Sequence, residues 1–124
     1  MNISNNIKCI KTKNILVIGD VMLDRYFNGK VKRISPEAPV PVFRKTSEYC
    51  VPGGASNVAT NLVAAGQKTY VAGIIGDDAN GKSLCSLLEQ KNINTDYMEV
   101  GFRETTVKTR FMADSRQQVL RLDV

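Results

Sequence analysis

The sequence predicts an α/β fold: a parallel, Rossmann-type sheet covered by helices, with a smaller second β-sheet beside it. Three observations predict it. First, short apolar runs alternate with amphipathic helical stretches in the order β, α, β, α from the Gly53-Gly54 region onward, the order of a parallel sheet. Second, β-like stretches with turn signals at about 26–46 and 97–124 fall outside that alternation and predict a separate small sheet, or lid. Third, the 124 residues are 43% hydrophobic and 23% charged, which is ordinary for one globular domain.

Residues 1–13 form a polar N-terminal extension with no apolar h-region, so no signal peptide is expected. NILVIGD (Asn14 to Asp20) reads as a buried parallel strand opening into a ligand-facing loop. Asn28-Gly29 is a hairpin-type turn signal. Beyond it, alternation through Lys30, Lys32 and Ile34 predicts an exposed strand. Pro39 and Pro41 remove backbone donors, so a strand there lies at a sheet edge or starts after Pro41. VPGGASNVATNLVAAG turns on a glycine pair into a helix with Val58, Leu62 and Ala65 as its apolar stripe and Gly66 as its C-terminal cap. KTYVAGIIG is a second buried strand. DDANGKSLCSLLEQKN is a second helix, capped by Asp77 or Asp78, with Leu84, Leu87 and Leu88 inward. YMEV, TTVKTRFMA and QQVLRLDV are strands, Lys108 and Arg110 share a face, and ADSRQ turns between the last two. The chain stops at RLDV, inside or just after a strand, which predicts a fragment of a longer protein.

Composition narrows the function. The net charge of +5 is too mild and scattered to imply nucleic acid, but it suits an anionic small molecule. No apolar run reaches the ~20 residues of a membrane span, so no membrane partner is expected. Cys9, Cys50 and Cys85 are widely spaced and no histidine is present, which predicts inert thiols, a cytoplasmic setting and no metal site.

GDDANGKS (Gly76 to Ser83) satisfies the phosphate-binding pattern G-x-x-x-x-G-K-S. Asp77 and Asp78 stand where phosphate would need free N–H groups, and their charge opposes it. The stretch is therefore read as an acidic helix entry, with Gly81 incidental and Lys82 and Ser83 solvated. Gly53 and Gly54 are the stronger signal. A strand-to-helix turn there lets a ligand approach the backbone, and Asn57 stands one turn into the helix. The bland alternative is a tight turn with a polar first helical turn.

From Gly53 to Gly76 the pattern resembles the first signature of the ribokinase-like (PfkB) carbohydrate kinases. GDVMLDRY and RISPEAPVPV are similar to the heptose-7-phosphate kinases within that family, which commonly form the N-terminal half of bifunctional ADP-heptose synthases. The resemblance covers nearly the whole chain from about Ile15. It implies the N-terminal part of a ribokinase-like sandwich over 14–124, with a small β-sheet lid at about 26–46 and 97–124. It also implies a kinase that uses ATP and Mg²⁺ to phosphorylate a heptose 7-phosphate at the anomeric hydroxyl, and a homodimer formed through lid strands.

Carried over by position, Asp24, Gly53, Gly54 and Asn57 bind the sugar. Asp24 has a second reading, as a loop cap or a salt bridge to Arg25. Asp20 either contacts sugar or caps the strand end. Met22 stands where ribokinases carry a polar sugar contact. Arg33, Lys108 and Arg110 are candidate cations for the 7-phosphate, against the reading of a solvated β face. The family's catalytic D-T-x-G-A-G-D type motif and its ATP loops do not occur, so no catalytic, nucleotide-binding or metal-binding residue is expected among these 124. The chain alone is expected to lack kinase activity. Its rivals are another PfkB sugar or nucleoside kinase, a noncatalytic sugar-binding or dimerisation module, and a P-loop NTPase.

Overall fold

The computed structural model describes residues 11–114 and 117–124. Cys9, most of the N-terminal extension, and Ser115 and Arg116 of the expected last turn lie outside the described residues. Seven strands and two helices are described, in the order β1 (Asn14–Ile18), β2 (Val21–Ile34), β3 (Pro41–Gly54), α1 (Ala55–Ala64), β4 (Lys68–Gly76), α2 (Ala79–Glu89), β5 (Asn94–Gly101), β6 (Val107–Ala113) and β7 (Gln117–Asp123).

They form two sheets. One is all-parallel, in the order β1-β4-β5. The other is mixed, in the order β3-β2-β6-β7, with β2 and β6 parallel and the outer pairs antiparallel. The lid therefore comprises 21–54 and 107–123, and the expected boundaries at 26–46 and 97–124 need correction. YMEV lies in β5, the third strand of the parallel sheet. A strand that follows a crossover helix returns parallel to the strand before it, and β5 follows α2 in that way. β3 is an edge strand, as its prolines require, and it runs unbroken to the glycine pair.

One core joins both sheets. Val21, Leu23, Ala59, Val71, Leu84, Leu88, Ile93 and Val107 are all buried within it. Among the described residues, helices cover one face of β1 and β4. The crossovers step in one direction across β1-β4-β5, so a single handedness places both helices on the same side. The opposite face exposes Leu16, Ile18, Ile74 and Tyr97.

Helix α1 buries Ser56 and Ala59 and packs Val63 against the core, while Val58 is half exposed. The expected stripe of Val58, Leu62 and Ala65 is thus rotated toward smaller side chains, which let the helix approach the sheet closely. Gly66 ends α1 at φ 81°, with its N–H donating to Val63 O and that of Gln67 to Leu62 O, a Schellman closure. Leu84 and Leu88 of α2 are fully buried and Leu87 packs beside them. Asn28-Gly29 is not a turn. It marks a register shift inside β2, where the Phe43 ring occupies the space of a Gly29 side chain, and the chain reverses instead between Ile34 and Pro41. Cys50 and Cys85 are free, and burial pushes the Cys85 thiol pKa up, which disfavours its reactive thiolate.

Asp78 caps α2. Its Oδ1 accepts from Gly81 N–H at 2.7 Å and its Oδ2 from Thr105 N–H at 2.7 Å. The bonds to Thr105 and then Gly81 hold its pKa below the ordinary carboxylate value. A lowered pKa stabilises the fold fully above the unfolded value, near pH 4, and that contribution fades as pH falls through the folded value. Asp78→Ala is expected to cost about 2–4 kcal/mol at neutral pH by removing a cap and orphaning a buried N–H. The gap between variant and wild type in urea unfolding should narrow only below about pH 4, as the Asp78 carboxylate protonates.

Candidate functional site

Two glycine-bearing helix entries compete for the role of ligand site, and the structure separates them. At α2 the entry is closed. Asp78 takes the Gly81 N–H, while Gly76 N–H donates to Thr105 Oγ1 at 2.9 Å. Gly81 is buried and is not incidental: a Cβ there would stand 2.6 Å from Gly76 O and 2.8 Å from Thr105 Oγ1. The glycines of GDDANGKS admit the Thr105 loop rather than a phosphate. The Lys82 side chain is 77% exposed and lies 3.4 Å from Asp77. The residues of this loop do not fit a nucleotide, and among the described residues no group of three His, Cys, Asp or Glu is placed to hold a metal ion.

At α1 the entry is open. Gly54 is the N-cap, no side chain caps the helix, and its first turn carries no acidic residue. Its backbone is held from outside, with Ala55 N–H donating to Asp20 O at 2.9 Å. Gly54 adopts φ 57° and ψ −131°, and a side chain there would run into Asp20 O and Met22 Cε. An uncapped helix N-terminus beside a glycine pair attracts an oxygen-rich ligand.

The neighbouring lid strands bring side chains to this entry. β2 pairs Met22 with Gly53 and Asp24 with Val51. Residues two apart share a face, so Met22, Asp24 and Tyr26 look the same way. Asp24 leans over Gly53: a Cβ on Gly53 would lie 2.7 Å from Asp24 Oδ2 and 2.9 Å from Met22 Cγ. On the other side, β6 places Lys108 beside Asp24 and Arg110 beside Tyr26. Arg110 NH1 donates to Asp24 Oδ1 at 2.8 Å, with the two side chains only 22% and 18% exposed. The bond to Asp24 raises the guanidinium pKa further, so this cation is permanent. Arg110 also lies over the Tyr26 ring, 5.1 Å from its centroid, and Tyr26 stacks on Tyr49 at 4.8 Å and 6°.

The structure thus gathers Asp24, Gly53, Gly54, Lys108 and Arg110 at one end of α1, with Asn57 exposed on the first turn of that helix. The alternative partner Arg25 points to the opposite face, where it donates to Asn80 Oδ1 at 2.6 Å. Asp20 contributes its carbonyl to the α1 entry. Its side chain is 88% exposed, 3.9 Å from Arg103, at a separate cleft of about 370 Å³ lined by Gly73, Tyr97 and Glu99. Arg33 is not part of the group. It stands at the far end of β2, roughly 30 Å from Asp24 at ~3.3 Å per residue. There it joins Lys30, Lys32, Arg44 and Lys45 around a basic hollow. Tyr26 and Tyr49 were not singled out from the sequence. The Asp24-x-Tyr26 spacing signals a shared face, but nothing local marks Tyr49 as its neighbour.

The profile of the pfkB family of carbohydrate kinases matches residues 12–122. The chain belongs to this family. A bifunctional protein HldE from Coxiella burnetii is 42% identical over 118 residues, which is 95% of this chain and 25% of that protein. The bifunctional protein HldE of Sulfurimonas denitrificans is 48% identical over 113 residues, 90% of this chain and 24% of the relative. The chain therefore spans about a quarter of the length of these relatives. In fold, the PfkB chain superposes on a carbohydrate kinase from Agrobacterium tumefaciens with a TM-score of 0.69 and 21% identity, covering 91% of this chain and 36% of the other. Arabidopsis thaliana ribokinase, solved with ribose and ATP, gives 0.69 and 19%, covering 92% and 36%. The parallel sheet plus lid is accordingly a ribokinase-like architecture. Among the described residues of the PfkB chain, no helix is long and apolar enough to cross a membrane.

Proposed function

We propose that this PfkB chain is the sugar-binding part of a cytoplasmic kinase acting on D-glycero-D-manno-heptose 7-phosphate. The intact protein transfers the γ-phosphoryl of ATP, with Mg²⁺, to the anomeric hydroxyl and yields the 1,7-bisphosphate, a precursor of ADP-heptose for lipopolysaccharide. The carrying observation is the Asp24 carboxylate poised over Gly53 at the uncapped start of α1, flanked by Lys108 and Arg110. A carboxylate accepts strongly from polyol hydroxyls, the helix start donates N–H groups to sugar oxygens, and the adjacent cations favour a phosphorylated sugar. SPEAPVPV and the 42–48% identity to HldE proteins favour the heptose over other sugars. The proposed residues are Asp24, Gly53, Gly54 and Asn57 for the sugar, with Asp20 supporting the turn through its backbone. The 124 residues alone are expected to show no phosphoryl transfer, because the family's D-T-x-G-A-G-D type motif and ATP loops do not occur among them.

The exposed edge strand β7 supports pairing of lids between two copies, since an unpaired edge invites a second strand. A substrate panel on the full-length protein tests the assignment. Heptose 7-phosphate should outrank ribose, fructose and nucleosides in kcat/KM, and preference for an unphosphorylated sugar would overturn the heptose reading. In the same assay Lys82→Ala should leave the KM for ATP unchanged, whereas a phosphate-binding role at GDDANGKS requires a large rise.

A further inference from the structure

We propose that Arg110 is a positioning residue for Asp24, and that Lys108, unlike Arg110, is free to meet the sugar's phosphate. The inference rests on the reading above, in which Asp24 accepts from the sugar.

The register of three strands sets the arrangement. Tyr49 on β3, Tyr26 on β2 and Arg110 on β6 lie in one row across the sheet, because Tyr26 is the register partner of both others. The row is stacked, ring on ring at 4.8 Å and guanidinium over ring at 5.1 Å. A planar guanidinium held flat on an aromatic ring has its donors fixed in direction. Here NH1 is directed at Asp24 Oδ1. That contact leaves Oδ2 as the oxygen over Gly53, facing the open helix start. Without Arg110 the carboxylate is free to rotate, and neither oxygen is fixed over the turn.

The same contact bears on the phosphate. For Arg110 to bind it, the guanidinium would have to share or leave a partly buried carboxylate, and the vacated charge would stay partly buried. Lys108 carries no such restriction. It is the register partner of Asp24 and, on β7, of Asp123; Asp123 is paired with Arg121, and among the described residues Lys108 has no salt-bridge partner. Its flexible stem lets the ammonium follow a phosphate at the far end of a sugar.

The experiment uses the full-length kinase with a phosphorylated sugar and its unphosphorylated counterpart, reading kcat and KM for each. Arg110→Met should lower kcat/KM by about tenfold to a hundredfold for both sugars alike, mainly through KM. Added to Asp24→Asn it should cost little more, because the two residues act as one unit. Tyr26→Leu should repeat part of the loss and Tyr26→Phe should not, since only the ring is needed. Lys108→Met should weaken the phosphorylated sugar alone. The proposal is overturned if Arg110→Met penalises only the phosphorylated sugar, or if its effect multiplies independently with that of Asp24→Asn. Should Arg110→Met fail to fold, Arg110→Lys decides: it keeps the charge but not the planar stack, so positioning predicts equal loss for both sugars and a phosphate role predicts near wild-type rates. If the wild type prefers an unphosphorylated sugar, the Lys108 assignment fails with the heptose reading. The Arg110–Asp24 cycle, run on that sugar, still decides the positioning role.

Discussion

Asp24→Asn is expected to lower kcat/KM of the intact kinase for its sugar by roughly fivefold to a thousandfold while leaving the protein folded. The substitution keeps the shape and removes the charge. Hydrogen bonds to a charged group contribute about 1.5–3 kcal/mol each, against about 1 for a neutral pair. Two sugar hydroxyls on Oδ2 would therefore lose about 1–4 kcal/mol together, which is roughly fivefold to a thousandfold at 1.4 kcal/mol per decade. The Arg110 guanidinium also loses its anionic partner, but it stays supported by the Tyr26 ring. Steady-state kinetics with a thermal melt on the same sample checks both halves. Near wild-type kcat/KM would remove Asp24 from the sugar site.

The three glycines Gly53, Gly54 and Gly66 are expected to respond very differently to alanine. Gly54→Ala should be the most damaging to stability, at about 3–5 kcal/mol, combining a strained backbone with a collision against a main-chain carbonyl. Its φ of 57° disfavours any side chain, and the nearest obstacle is Asp20 O, which cannot swing away because it accepts from Ala55 N–H. Gly66→Ala shares the positive φ, at 81°, but meets nothing within 4 Å, so about 1 kcal/mol is expected. Gly53 has no positive φ, and its obstacles are the side chains of Asp24 and Met22. These can shift, so Gly53→Ala should lose sugar affinity more than stability. Urea unfolding of the three variants, with sugar binding measured on those that fold, separates the cases. Equal destabilisation at all three would refute the steric account.

Asp78 links the decoy stretch to the site. Its carboxylate ties the N-terminus of α2 to Thr105, and β6 begins two residues later at Val107. The residues that resemble a nucleotide loop therefore anchor the strand that carries Lys108 and Arg110. The resemblance is accidental in chemistry, but the glycines and the aspartate are needed where they stand.

What the sequence determined by itself is local. The apolar runs, the glycine pair before α1, the Gly66 cap, the acidic cap of α2 and the edge position of the proline-bearing strand are each set by a few neighbouring residues. The two aspartates were enough to argue against a phosphate loop, and Gly53, Gly54 and Asp24 were legible as candidates through the resemblance to the PfkB kinases. Sheet membership was not legible for YMEV, because a short β-like run looks the same in either sheet, and its place follows from the crossover before it. The partner of Arg110 was the most remote of these facts. Asp24 and Arg110 are 86 residues apart, and they meet only because β2 and β6 align in parallel register, which places Tyr26 beside Arg110. Side-chain alternation told which residues share a face. Only tertiary pairing decided which faces meet, and that is where the site's electrostatics were set.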